Sequence, residues 1–176
     1  NWSFGDYNRK EALLWAWELL IKEFGLDPDR MFITIFRNDD TLRLPDIPSD
    51  NESFEILSEI FSEEKIIWKG IDDNWWSAGD VGPCGPCAEI HYLLDDGTEL
   101  EIWNAGVFMD YTKNSEGIIT KMPMRCVDSG AGLERITMVL QEAKSIHELQ
   151  EYSLIYQRIL SEVKEHSFAR LIFDHC

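Results

Sequence analysis

Residues 88–127 admit few folds. Residues 88–94 alternate apolar and polar side chains, Asp95-Asp96-Gly97 is a tight-turn signal, and residues 99–109 alternate again, which predicts an antiparallel hairpin. A second turn signal at residues 114–117, followed by two more strand-like runs over 118–121 and 124–127, extends the hairpin into a meander. Parallel strands need long, usually helical crossovers, and tight turns leave no room for them. The apolar residues elsewhere recur at helical spacing, so the predicted fold class is α+β, an antiparallel sheet flanked by helices.

The helices and remaining strands follow from local chemistry. Asn8 and Glu11 form a capping-box pattern, and Leu13, Leu14, Trp17, Leu20, Ile21 and Phe24 follow at helical spacing up to Gly25. This predicts an amphipathic helix with Trp15, Trp17 and Phe24 in the core. Residues 31–36, MFITIF, predict a strand buried on both faces, and residues 37–48 read as loop. Ser49 with Glu52 predicts a second capped helix to about Ser62, and residues 65–70 another strand. Residues 72–87 are rich in Gly and Pro and predict a shaped loop, beside which Trp75 and Trp76 either close a small pocket or cover the loop backbone. A last helix is predicted over residues 152–165.

A chain of 176 residues with 44% apolar content can bury one substantial core. No window holds the eighteen uninterrupted apolar residues of a membrane span, and no secretory pattern opens the sequence, so an intracellular, cytoplasmic protein without a membrane partner is expected. Its four cysteines then read as reduced thiols. The net charge of -17 repels nucleic acid over most of the surface, so any RNA partner requires a local basic patch.

Four groups of residues are candidates for chemistry. Asp128-Ser129-Gly130-Ala131-Gly132 at a strand-to-helix turn, with Arg135 inside the helix, is either an anion site or a turn in which Asp128 or Ser129 caps the helix. Cys84-Gly85-Pro86-Cys87 has the spacing of a redox dithiol, but a strand-like run follows it where such a dithiol needs a helix. With His91 and a fourth ligand such as Cys126 or Cys176 the two thiols would make a zinc site; otherwise they are packed cysteines. Glu89, Glu99, Glu101 and Asp128 on neighbouring strands suit a Mg-nucleotide, or are the solvated face of an edge hairpin. The four histidines form no nucleophile–base pattern.

Taken in order, WSFGDY from Trp2, DNWW from Asp73, GDVGPCGPC from Gly79, EIWN with VFM from Glu101, and DSGAGLER from Asp128 resemble the alanyl-tRNA synthetases over residues 1–145. The resemblance implies a class II catalytic core, incomplete in these residues, with DSGAGLER as its motif 3. It divides the chain into a partial aminoacylation domain, residues 1–145, and a helical segment, 146–176, leading toward a tRNA-recognition region. By residue match it implies that Arg135 contacts the ATP γ-phosphate and that Gly130 and Gly132 admit the nucleotide or amino-acid backbone. Asp128 would hold the alanine ammonium, Trp76, Asn104 and Val107 would form the alanine pocket, and Glu101 would help hold Mg2+. The chain departs from the family pattern in one extra residue at Ala105-Gly106 and in Val81 for the usual threonine.

The implied reaction joins alanine to ATP, releases pyrophosphate and passes the alanyl group to tRNA(Ala). Its motif 1 and motif 2 arginine would lie upstream of Asn1, which implies a fragment or split subunit, not competent alone and completed by an upstream chain or segment. The alternative is a non-catalytic module derived from a synthetase that keeps the ATP or amino-acid pocket.

Overall fold

The computed structural model describes residues 1–38 and 47–175, so most of the predicted loop at 37–48, and Cys176, fall outside it. Its longest strands are the predicted meander: β5 (Gly82–Leu93), β6 (Glu99–Lys113) and β7 (Ile119–Ala131). The first turn is closed by the Leu94 N–H on Thr98 O (2.9 Å), the second by the Asn114 N–H on Ile118 O (3.0 Å). β1 (Trp2–Phe4) pairs with the far side of β7, and β2 (Met31–Phe36) with β5. β3 (Ile66–Lys69) runs parallel to β2, and the short β4 (Trp75–Ser77) pairs with the start of β5. Among the described residues this is one seven-stranded sheet of order β1-β7-β6-β5-β2-β3, antiparallel except at β2–β3. The α+β class read from the sequence is the one observed.

The glycine-proline run is not a loop. Gly82 to Cys87 is the first half of β5, and it tolerates two prolines because one is the strand's second residue and the other sits at a register shift between Cys84 and Cys87. Gly85 is there for closeness: a Cβ on it would lie 1.8 Å from the Phe108 carbonyl oxygen on β6. A four-residue helix, α3 (Ile71–Asn74), precedes it within the same predicted loop.

The first predicted helix begins as expected, with the Asn8 N–H on Glu11 Oε2 (3.1 Å), but α1 (Arg9–Glu18) passes into a π-helical turn, Leu19–Glu23. It buries Ala12, Leu13, Ala16 and Leu20. Trp15 falls off that face and is 53% exposed, edge-on to Tyr7, and Phe24 is exposed beyond the π turn; only Trp17, against Phe61, packs as a partly buried aromatic. α2 (Asn51–Leu57) is shorter than predicted and is capped by Asp50, whose carboxylate accepts from the Ser53 N–H (3.1 Å). Ser49 instead accepts from the Asn38 N–H.

An ion cluster joins α1 and α2 to the sheet. The buried Arg9 reaches Glu52 (2.7 Å), Asp110 (2.9 Å) and Asp50 (3.5 Å), and its guanidinium lies over the Phe108 ring. Arg125 reaches the same Glu52 (2.8 Å) and Asp110 (2.9 Å). The bonds to Arg125 hold the Glu52 carboxyl below its usual range, while burial pushes Asp50 up against the pull of Arg9.

Residues 1–131 form one compact unit and residues from Gly132 a second. The second holds α4 (Leu133–Leu140), α5 (Gln150–Val163), which ends at a left-handed Lys164, and α6 (His166–His175). Within it the buried His147 meets Asp174 (3.0 Å) and rings of Tyr156 and Phe173.

Candidate amino-acid site on the sheet

Directly opposed residues of an antiparallel pair project from the same face, so the register sorts the predicted site residues. Cys87 is opposite Val107 and Val107 is opposite Asp128, giving one row across three strands. Glu89, Asn104 and Gly130 make the next row, and His91 with Glu101 the one after. Thr34 and Phe32 on β2 continue these two rows. Trp76 comes from β4 and packs on the cluster of Cys87, Val107, Met109 and Cys126. Trp76, Glu101, Asn104, Val107, Asp128 and Gly130 therefore converge on one face.

The opposite face carries Ile90, Trp103, Phe108 and Val127, with Ser3 opposite Val127 and the Trp103 indole donating to Ser129 Oγ (3.0 Å). Ile90, Phe108 and Val127 are buried, and α1 packs on β6 and β7. One face is apolar and packed; the other carries the polar groups.

A bulge lies at Ala105-Gly106, where the sequence reading placed one extra residue. Three steps on β6, from Asn104 to Val107, match two on β7, from Gly130 to Asp128. Strand residues three apart normally face opposite ways, and the bulge returns Asn104 and Val107 to the same face.

The rows surround the Cys87 thiol with polar groups. Its Sγ lies 3.7 Å from Glu89 Oε1 and 3.8 Å from Asp73 O. Burial first, and then Glu89, push the thiol up, so it stays protonated. His91 stacks on Phe32 (4.9 Å) and stands 3.7 Å from Glu89. The fully buried Asn74 donates to Thr34 Oγ1 and to Cys87 O, both at 3.0 Å. Two amide oxygens, Asn74 Oδ1 and Asn104 Oδ1, are buried with no hydrogen-bond partner.

Cys84 belongs elsewhere, packed with Phe36 and Tyr111, so the dithiol and zinc readings lose their geometry. Among the described residues no three His, Cys, Asp or Glu side chains form a metal-binding group. The paired rows do bring two carboxylates, Glu89 and Glu101, together near Cys87. Two carboxylates fit Mg2+, which is commonly held by one or two of them plus phosphate oxygens and water.

The Gly-x-Gly turn is not the side-chain-capped turn that one reading of the sequence offered. Asp128 and Ser129 remain in β7, which runs on to Ala131, and neither caps a helix. α4 starts from Gly132 with no side-chain cap. A Cβ on Gly132 would stand 3.1–3.3 Å from the Arg135 side chain, so the glycine lets the arginine stem lie along the turn. Gly130 has open space where a Cβ would be.

Sequence reasoning grouped Glu89 with Glu101 and Asp128 but missed Cys87 and His91 as neighbours of the candidate pocket, and missed the Arg9 cluster. A signal for the latter was present: a basic residue in a helix's first turn opposes the macrodipole and calls for compensating acids.

A mostly antiparallel sheet with one packed face and one face bearing carboxylates, asparagine and indole defines an α+β domain suited to a small polar ligand. A sequence profile described as tRNA synthetases class II (A) matches residues 1–175, and the chain belongs to that family. Over its length it is similar to part of the alanine–tRNA ligases. It is 39% identical to the alanine–tRNA ligase of Wolbachia pipientis wMel, covering 99% of this chain and 20% of that protein. It is 37% identical to the cytoplasmic alanine–tRNA ligase of Caenorhabditis elegans and 36% to the mitochondrial one of Saccharomyces cerevisiae, covering in each case 90% of this chain and 17% of the relative. The chain thus spans a fifth or less of these relatives. Among the described residues no helix is long and apolar enough to cross a membrane.

Proposed function

We propose that these residues are the alanine-activating part of an alanine–tRNA ligase acting in the cytoplasm. The observation that carries the reading is the convergence of Trp76, Asn104, Val107, Asp128 and Gly130 on one sheet face, with an asparagine oxygen buried there and unpartnered. Asp128 and Asn104 accept from the alanine ammonium, Trp76 and Val107 bound its methyl group, and the bare backbone at Gly130 admits the main chain. Arg135, seated by Gly132, takes the ATP γ-phosphate, and Glu101 with Glu89 would hold Mg2+, which would neutralise phosphate charge.

In the reaction an alanine carboxylate oxygen bonds to the α-phosphorus while the bond to pyrophosphate breaks, and a hydroxyl of the terminal ribose of tRNA(Ala) then takes the alanyl group as the bond to AMP breaks. No protein nucleophile is needed, since alignment and charge stabilisation carry such a step. The α-phosphate grip and most of the tRNA surface come from outside this chain, in an upstream segment or partner chain. Residues 146–176 lead toward the tRNA-recognition region.

ATP–pyrophosphate exchange tests this. The intact protein exchanges in an alanine-dependent way and the isolated 176 residues do not. In the intact protein, Arg135→Ala raises chiefly the KM for ATP and Asp128→Ala chiefly that for alanine. Equal effects on both would refute this division of roles, and alanine binding without exchange would mark a binding module.

A further inference from the structure

Trp76 reaches the amino-acid site from β4, a strand of three residues that among the described residues pairs with β5 alone. Just past its end the Ala78 N–H donates to Pro83 O (3.0 Å), and Pro83, which has no N–H, returns no bond. Antiparallel pairs exchange hydrogen bonds at every second residue, which puts the next bonding positions at Trp76–Gly85 and Asn74–Cys87. At the last of these the main chain is already committed, because the Asn74 N–H donates to Gly70 O (2.9 Å) and closes α3. The side chain takes its place. Asn74 Nδ2 donates to Cys87 O and to Thr34 Oγ1 on β2, both at 3.0 Å, from a wholly buried residue. A carbonyl oxygen only accepts, so the NH2 end must face Cys87, which fixes the amide and leaves Oδ1 unpartnered.

We infer that Asn74 is a positioning residue of the amino-acid site: its amide carries the β4–β5 ladder one step past the strand, ties it to β2, and so fixes where Trp76 stands against Cys87 and Val107. This deepens the function proposed above and rests on it, since Trp76 is there the wall against the alanine methyl group. Trp75 packs on the other side of β4, against Phe36 and Tyr111 (ring centroids 5.2 and 5.9 Å). Apolar packing is non-directional, whereas two hydrogen bonds of set length fix the distance of the chain from β5 and β2. A displaced wall costs selectivity for the methyl group, not the hold on the ammonium and carboxylate that every amino acid shares. A methyl group in a fitted apolar pocket is worth roughly 10- to 200-fold in discrimination.

Exchange kinetics of the intact protein with alanine and with glycine, which lacks only the methyl group, test the inference. Asn74→Ala is expected to lower the alanine-over-glycine ratio of kcat/KM about tenfold, with the ATP KM within about twofold. Trp76→Ala lowers the ratio by a similar factor, and adding Asn74→Ala to it lowers the ratio no further, because the amide acts only through the indole. Thr34→Val cuts one of the two bonds at nearly constant shape and is expected to lower the ratio about threefold. Thermal midpoints follow folding; if Asn74→Ala does not fold, Thr34→Val, alone and with Trp76→Ala, carries the same comparison. A direct contact of Asn74 with the ammonium group would weaken both amino acids alike. An unchanged ratio in the folded single variant, or additive losses in the double variant, overturns the inference while leaving the alanine site standing. A Trp76→Ala protein with unchanged alanine kinetics and an unchanged ratio overturns the alanine site itself.

Discussion

Two polar clusters on the same sheet are built on opposite terms. In the Arg9 cluster Glu52 and Asp110 each meet both guanidinium groups within 3 Å, and the buried Asp50 faces Arg9 while bonding to Ser53. In the rows around Cys87 the groups brought together are carboxylates, a protonated thiol and amide oxygens, two of them buried and unpartnered. The first cluster closes its charges on themselves and clamps helices to strands. The second leaves two amide oxygens without a donor beside the carboxylates of Glu89 and Glu101, which suits the ammonium group of the proposed ligand. Stability and recognition are thereby separable by residue.

The largest effect should come from breaking the clamp. Arg9→Met leaves three carboxylates around a buried gap, and is expected to cost about 3–5 kcal/mol in urea denaturation. Gly85→Ala, which pushes a methyl group into the Phe108 carbonyl, should cost about 3 kcal/mol through strand displacement. At the other cluster the pattern reverses. Asp128→Asn should change stability by less than about 1 kcal/mol while weakening alanine use at least about tenfold. The smallest effects belong to the exposed arm of the clamp. Arg125 is 42% exposed, so Arg125→Ala should cost about 1 kcal/mol or less at neutral pH.

The sign of the pH dependence follows from Glu52, whose folded-state pKa lies below its ordinary 4.5. Its contribution is complete above that value and is lost as the pH falls through the folded-state pKa. Asp50, pushed up by burial, runs the other way and offsets part of the loss. The stability gap between the parent and Arg125→Ala should therefore narrow from pH 6 to pH 3.5, and a gap that widens would contradict the role given to Glu52.

The meander was legible because turn chemistry and alternation agree between residues 88 and 127, and local rules suffice for it. The Gly82–Cys87 segment was not, because its strand character is imposed by neighbours on both edges, Trp75–Ser77 and the end of β6, against its own propensity. Trp15 was misplaced because helical spacing alone does not say which flank of an apolar stripe meets the sheet. The candidate site was half legible. Asp128, Asn104 and Val107 could be singled out by resemblance, whereas their shared face depends on a bulge that strand parity alone would have denied. Cys87 reads as redox or zinc chemistry in sequence, and only the register shows it beside Asn104.

The two-faced sheet is tested most directly by 19F spectra of the intact protein carrying fluorotryptophan, with resonances assigned by single substitutions. Trp76 packs on the Cys87 cluster and Trp103 points to the opposite face. Titration with alanine should move the Trp76 resonance and leave Trp103 in place. A shift at Trp103 with Trp76 unchanged, or equal shifts at both, would contradict the assignment of the amino-acid site to this face.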